Sequence, residues 1–382
     1  VTVLLLTEVF PPKTGGSGRW MWELYRRLGK IDVQVAAGNT AGAESFDRTH
    51  ALRIQRLPLA FTNWGVFDLR GGPQYAAALA RLLPLVRRTK PDVIHAGKFL
   101  PEGLLALIAG KLTGVPFECY AHGEELTLGR TTGELRWLGS KVLRQARRII
   151  ANSQHTQQLL TVDWGVPPEK IVVMHPGVDT ACFTPAPPSS AVRERLGWVG
   201  RRVVLTVGTL QKRKGQDMLI RALPEIRRQC PDVLYSIAGE GREREYLERL
   251  VKEHHVGDIV QFRGVPRDDE LIDCYQQCDL FALPNRQVGW DLEGFGIVFL
   301  EAQACGRPVI AGKSGGAPET LQPSVTGEVV ECETPDNLAR VVVALLNDPE
   351  RRARMGTAGR RWVEERFSWD VLSRQAEELF AR

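Results

Sequence analysis

Short apolar runs alternate with helix-length amphipathic segments along the chain, and the series starts afresh past its middle. Residues 1–6, 33–37, 93–96, 117–120, 149–151 and 171–174 read as buried strands, with helices expected over 18–28, 72–88, 103–113, 135–146 and 155–161. A second series places strands at 202–207, 234–238, 259–262, 280–283, 308–311 and 328–330, and helices at 218–229, 242–253, 268–277 and 334–347. Strands this short and this apolar, separated by helices, call for parallel sheets with helices packed on both faces. Two such series predict two doubly wound, Rossmann-like α/β domains. The stretch CFTPAPPSSAVRERLG breaks the periodicity with prolines and serines, so the expected domains are 1–182 and 183–366. FSWDVLSRQAEELFAR reads as one amphipathic helix within 367–382. Ser368 is its expected N-cap, and Leu372, Ala376, Leu379 and Phe380 share a face.

The chain has 382 residues, 43% of them hydrophobic, which is ample for two cores. No apolar run approaches the roughly 20 residues that span a bilayer. The opening VTVLLLTEVFPP lacks the basic region and small-residue cleavage site of an export signal, so a cytoplasmic protein is expected. The seven cysteines are scattered, and CYQQC has no second pair to complete a zinc site; they read as reduced and buried. The net charge of +5 resides in the first half. It is too small, and lacks the module, for a nucleic-acid partner, but it suits an anionic ligand or a peripheral contact with an anionic membrane. In SKVLRQARRII, Lys141, Arg144 and Arg148 share a helical face, and WMWELYRRL adds Trp20, Trp22 and Tyr25 beside Arg26 and Arg27. Basic helices with aromatics suit lipid headgroups; the structural alternative is an apolar face on the sheet and a solvated basic face.

Four loops carry the chemistry. In DLEGFGIVFLEAQACGRPVIAGKSGGAPE, Glu293 and Glu301 flank Gly294-Phe295-Gly296 and the start of a helix near Ile297, just after the strand at 280–283. Unpaired N–H groups at a helix start favour an anion, phosphate above all. Glu301, one turn in, is placed to accept from a ribose diol, and Glu293 from sugar hydroxyls. In VGTLQKRKGQDML, Lys212, Arg213 and Lys214 follow a strand end, where cations would neutralise a diphosphate leaving group. CYAHGEEL sets His122 just past a strand, at the end that faces ligands in open α/β sheets. FPPKTGGSGRW sets Gly15, Gly16 and Gly18 between the first strand and helix. Taken singly, each has a plain structural reading as a solvated loop, a packed histidine or a turn. Neither GSGRWM nor GEGRER completes G-x-G-x-x-G, and no P-loop motif occurs, which argues against a dehydrogenase and a P-loop nucleotidase. No D-x-D triplet or histidine cluster offers a metal site, so neither metal nor cofactor is expected.

Together these stretches resemble the retaining glycosyltransferases of family 4, along nearly the whole chain. From 203 to 319 the likeness is to the bacterial phosphatidylinositol mannoside mannosyltransferases. The resemblance implies the GT-B fold: two Rossmann-like domains with a cleft between them and a final helix crossing back to the first, acceptor-side domain. It implies a nucleotide sugar on the second domain, with Lys214 on the diphosphate, Glu301 on the ribose and Val265 of FRGV at the base through its backbone. The backbone from Phe295 through Gly296 and Ile297 to Val298 would hold phosphate and sugar, and Glu293 the far sugar hydroxyls. His122 would lie near the sugar, and Gly15 and Gly16 near the phosphate and acceptor. Many relatives carry an arginine where this chain has Thr209. That gap is met by Arg213 or Lys212, or by weaker donor affinity.

The implied reaction moves a hexose of the mannose or glucose type from an NDP-sugar, GDP-mannose or a UDP-sugar, to a hydroxyl acceptor that a lipid carries in one version. An α bond forms with retention by front-face displacement, without a metal, and His122, Lys214 and Glu293 form the catalytic set. One rival is a UDP-sugar transferase acting on a soluble glycan or small alcohol. Another is a catalytically silent nucleotide-sugar-binding relative. A third is a hinged periplasmic-type binding protein, which would need an export signal.

Overall fold

The computed structural model describes residues 1–13, 15–67 and 70–381. They form two compact units, one of Val1–Pro176 with Trp369–Arg382 and one of Gly177–Ser368. The first holds a parallel sheet of Thr2–Thr7 (β1), Asp32–Gly38 (β2), Arg53–Leu57 (β3), Val93–Ala96 (β4), Phe117–Ala121 (β5), Ile149–Ala151 (β6) and Ile171–Val173 (β7). Its strand order is β3-β2-β1-β4-β5-β6-β7. The second holds Arg202–Val207 (β8), Val233–Ala238 (β9), Val260–Gly264 (β10), Leu280–Leu283 (β11), Val309–Gly312 (β12) and Gly327–Val330 (β13), also parallel, in the order β10-β9-β8-β11-β12-β13. Both are doubly wound, with the direction of winding reversing at β1/β4 and at β8/β11. Ligands in such sheets bind beyond the carboxyl ends of the strands at that reversal.

The period of two in β1 shows why both faces must be covered. Leu4 and Leu6 pack with Leu82, Leu85 and Leu105 on one side. Val3 and Leu5 pack with Trp20, Met21 and Leu24 on the other. In the second unit Val204 and Leu280 face one core while Val203, Leu205 and Phe281 face another. The final helix, Trp369–Phe380, belongs to the first unit, where Trp369, Leu372, Ala376 and Phe380 join Trp20 and Tyr25 in the core. Ser368, just before it, donates from its hydroxyl to the carbonyl of Glu364 at 2.9 Å.

The compact units part at Pro176/Gly177, a few residues before the expected break after residue 182. The proline-rich stretch is part of the second unit because the Asp268–Gln277 helix holds it. Gln276 Nε2 donates to the Thr184 carbonyl at 2.8 Å, and Gln277 Oε1 accepts from Ser189 N at 2.9 Å. The sequence reading missed β3, the short helices Ala43–Asp47, Glu124–Leu128 and Ser190–Leu196, and the long helix Pro349–Arg366. β3, RIQRL, is an edge strand whose half-exposed residues give no apolar run. The Pro349–Arg366 helix buries Met355, Gly356, Gly359 and Val363, a stripe too small and too interrupted by charge to show a period. Six cysteines are buried as expected, but Cys182 is exposed. Among the described residues no helix is long and apolar enough to cross a membrane.

Candidate active site

In the second unit the two loops at the β8/β11 reversal are tied to each other. Arg286 N donates to the Arg213 carbonyl at 2.8 Å, and the Arg286 guanidinium grips both oxygens of Asp217 at 2.8 Å. Asp217 opens the Gln216–Gln229 helix, so the pair fixes where the basic loop ends. Gly215 makes the close approach possible. Its φ is +73°, and a Cβ there would stand 1.9 Å from the Pro284 carbonyl oxygen. Beyond β12, buried Asn285 accepts from Gly312 N at 3.0 Å and donates to the Ser314 carbonyl at 3.1 Å. Gly316 N donates to the Glu293 carbonyl at 3.0 Å. Three strand ends thus clamp the backbone on which Glu293 sits.

Within this frame Glu293 Oε2 accepts from Lys214 Nζ at 2.5 Å and from Arg213 Nη1 at 2.8 Å. Arg213 Nε lies 2.9 Å from Asp291 Oδ1. Burial alone would raise the Glu293 carboxyl, but Lys214 first and Arg213 second outweigh it and hold the group below its ordinary value. The acid is therefore ionised at neutral pH. Gly294, Phe295 and Gly296 follow and lead into the Ile297–Ala304 helix, whose start is braced by the buried Phe295 ring, 5.9 Å from Phe367. Ile297 and Val298 remain partly exposed there. One turn in, buried Glu301 accepts from the Tyr275 hydroxyl at 2.7 Å.

The structure thus gathers Arg213, Lys214, Glu293, Gly294, Phe295, Gly296, Ile297 and Val298 at one strand reversal. Thr209 stands in the same β8 loop, exposed, with its carbonyl accepting from Gln216 Nε2 at 3.3 Å. Lys212 points outward while Arg213 turns in, so of the two candidates for the gap at Thr209 only Arg213 reaches Glu293. Val265 follows β10 and is 76% exposed, so its side chain holds nothing. Sequence reasoning missed Asp217, Asn285, Arg286, Asp291 and Tyr275. The polarity of Asp217 in a first helical turn was the one local signal; the others depend on which strands lie side by side.

In the first unit, His122 follows β5. Its Nε2 is 2.7 Å from the Gly97 carbonyl at the end of β4, and its backbone N donates to Glu125 Oε1 at 2.6 Å. The Trp20 ring meets the imidazole edge-on at 5.4 Å. Burial lowers the imidazole to about 4, helped by Lys98 and opposed by the Gly97 carbonyl. The neutral ring therefore donates from Nε2 to Gly97 and keeps its lone pair on Nδ1. Gly15 and Gly16 are exposed at the start of the Gly16–Tyr25 helix, beyond β1.

A helix start beside two inward cations at a strand reversal has the chemistry that suits an anion. Comparison with known proteins gives that site a family. Residues 14–182 match the family described as Glycosyltransferase Family 4, and residues 190–362 match Glycosyl transferases group 1. The chain is 35% identical to the GDP-mannose-dependent alpha-(1-6)-phosphatidylinositol monomannoside mannosyltransferase of Mycolicibacterium smegmatis, over 99% of this chain and 98% of that one. It is 32% identical to the D-inositol 3-phosphate glycosyltransferase of Thermobispora bispora, over 96% and 89%. Among solved structures, Anabaena HepE in complex with UDP-glucose superposes with a TM-score of 0.83 over 100% of both chains, at 22% identity. Sucrose-phosphate synthase from Thermosynechococcus elongatus does so at 0.81, over 100% and 98%, at 21% identity. The chain belongs to the family 4 glycosyltransferases and has their GT-B architecture of two Rossmann-like domains.

Proposed function

We propose that this glycosyltransferase moves mannose from GDP-mannose to a hydroxyl of a lipid-linked inositol mannoside, with retention. The observation that carries the reading is the Lys214–Glu293–Arg213 cluster under the start of the Ile297–Ala304 helix. The choice of sugar and acceptor is supported by the 35% identity, over nearly the full chain, to relatives whose names specify both.

The step forms a bond from the acceptor oxygen to the anomeric carbon and breaks the bond from that carbon to the β-phosphate oxygen. On the front face, the acceptor's proton passes to the departing phosphate oxygen, so no protein base is required. Lys214, Arg213 and the free N–H groups at Ile297 and Val298 take up the charge that develops on the diphosphate. Each such donor is worth about two to three orders of magnitude in rate. Glu293, once the diphosphate claims its cations, is freed to accept from sugar hydroxyls. Glu301, oriented by Tyr275, accepts from the ribose, and the Val265 backbone meets the base. Neutral His122 serves as a hydrogen-bond partner for the sugar, with Gly15 and Gly16 admitting phosphate and acceptor. The cations do the work of a divalent ion, so turnover in chelator is expected.

The test is transfer in EDTA across GDP-mannose, UDP-glucose, UDP-N-acetylglucosamine and ADP-glucose, with the anomeric configuration of the product read by NMR. Turnover of GDP-mannose alone, to an α product, is expected. Preference for a UDP-sugar with a soluble inositol phosphate would replace the donor and acceptor assignment. No turnover or binding of any donor would overturn the catalytic reading.

A further inference from the structure

We infer that Lys98 and Glu8, held in place by Glu102, form an acceptor subsite in the first unit, a mixed-charge cradle for neighbouring hydroxyls of a neutral ring. The inference deepens the acceptor reading above and rests on it.

The cradle lies at the β1/β4 reversal, beyond the carboxyl ends of the strands, where open α/β sheets take ligands. Gly97 follows β4 and presses against β1. Its N donates to the Leu6 carbonyl at 2.7 Å, and a Cβ there would stand 2.7 Å from Thr7 Oγ1. Lys98 is thereby set beside Glu8. Glu102 opens the Glu102–Thr113 helix and is fully buried. Its Oε1 accepts from Glu8 N at 2.9 Å, while its Oε2 has no hydrogen-bond partner among the described residues. Lys13 Nζ donates to Glu8 Oε1 at 2.8 Å, which leaves Glu8 Oε2 on the side of Lys98.

A lysine placed only to neutralise buried acids would hydrogen-bond to one of them. Lys98 does not. Among the described residues its nearest carboxylate oxygen, Glu8 Oε2, is 3.9 Å from Nζ, and the side chain keeps 19% of its surface open. Burial would lower the ammonium, but Glu102 first and Glu8 next outweigh it and raise the group, so it is cationic at neutral pH. The gap to Glu8 is too long for a hydrogen bond, yet one oxygen about 2.8 Å from each group spans it. A hydroxyl fits there, donating to Glu8 Oε2 and accepting from Lys98 Nζ, and a neighbouring hydroxyl takes another of the three ammonium hydrogens. A phosphate in this place would face Glu8 and Glu102, and an amine would face Lys98 and Lys13. A neutral ring meets neither repulsion. His122 adjoins the cradle, since its Nε2 is bonded to the carbonyl of Gly97, the residue before Lys98.

The experiment takes the full chain loaded with GDP and titrates it with the deacylated headgroup of a phosphatidylinositol monomannoside, then with singly deoxygenated versions of each ring. Transfer from GDP-mannose to the same probes is measured in parallel. In wild type, two adjacent deoxygenations on one ring should each weaken binding about 10- to 100-fold, and their position names the ring. Lys98→Met should weaken the parent headgroup by a similar factor and become indifferent to those two deoxygenations, a non-additivity that a merely structural role would not produce. Lys98→Arg should recover part of the loss, Glu8→Gln should lose about tenfold, and all three should bind GDP as wild type does. The deoxygenated series in wild type stands even where a variant fails to fold. Undiminished headgroup affinity in Lys98→Met and Glu8→Gln overturns the subsite, as does a loss that simply adds to those of the deoxygenations. If removing the headgroup phosphate, and not a hydroxyl, erases the difference between wild type and Lys98→Met, the cradle reads an anion and the hydroxyl assignment falls. Wild type that transfers mannose to the headgroup with variants equally good refutes the subsite alone. A headgroup that binds through Lys98 yet receives no mannose supports the subsite and refutes the acceptor assignment above instead. Wild type that does not bind the headgroup overturns the subsite outright.

Discussion

Glu293→Gln asks whether the carboxylate is the counter-ion that holds Arg213 and Lys214 until a diphosphate arrives. Wild-type Glu293 is buried, with both cations on Oε2 at 2.8 and 2.5 Å. The amide keeps an acceptor oxygen but loses the charge. Removing one partner of a buried ion pair costs about 3–5 kcal/mol. The retained oxygen, and the Asp291 carboxylate 2.9 Å from Arg213 Nε, reduce this to about 2–3 kcal/mol. For a unit of this size that is a fall of about 5–10 °C in melting temperature. GDP brings the missing negative charge, so it should raise the variant's melting temperature by more than it raises the wild type's. The acid limb gives an independent check. A carboxyl held below its unfolded value contributes its full stability above that value, about pH 4.3, and loses it as pH falls through the folded value. The variant should lack that loss. Scanning calorimetry with and without GDP reads both effects. An unchanged melting temperature in the variant, or equal GDP increments in the two proteins, would refute the counter-ion argument.

The neutral state of His122 is checked by NMR. Its ring protons should not titrate between about pH 5.5 and 8, since the folded group protonates only at about 4, and a midpoint near the unperturbed value would be contrary evidence. Because the unfolded ring takes a proton at higher pH than the folded one, His122 should make stability rise with pH between about 4 and the unfolded value of 6.5, and add no slope above it. Gly215→Ala should cost well over about 1 kcal/mol, the strain of a positive φ being joined by the clash with Pro284. Gly200→Ala, at φ +70° in open space, is the control that carries strain alone, and similar denaturation midpoints for the two would dismiss the clash. Tyr275→Phe strips the donor from Glu301 and should weaken GDP binding by about 1–3 kcal/mol while leaving the ranking of sugars intact. Titration calorimetry showing unchanged GDP affinity would remove Glu301 from the nucleotide site.

The sheets were legible because β1, β4, β8 and β11 are short, almost wholly apolar and alternate with helices, the pattern of a parallel sheet covered on both faces. The edge strand β3 was not, since one flank and half its side chains face water. The prolines after residue 183 mark departure from periodicity, not departure from the core; residues 184–189 hydrogen-bond to a helix all the same. In the site, Lys214 and Glu293 stood out through their strand–loop–helix settings. That they would meet did not, because β8 and β11 are neighbours in the sheet and far apart in the chain. The same holds for Arg286 with Asp217, and for Tyr275 with Glu301. Residues brought together by strand order leave no spacing to read.

The final helix sets an order of events in synthesis. Residues 369–380 are translated after every residue of the second unit, yet Trp369, Leu372, Ala376 and Phe380 complete the core around Trp20 and Tyr25 near the start of the chain. The unit that leaves the ribosome first is therefore the last to close. Until then the Gly16–Tyr25 helix presents an apolar flank to whatever is nearby. A chain stopped after Ser368 should have a protease-resistant second unit and a labile first one, and limited proteolysis of that truncation would show equal resistance in both if the final helix were dispensable.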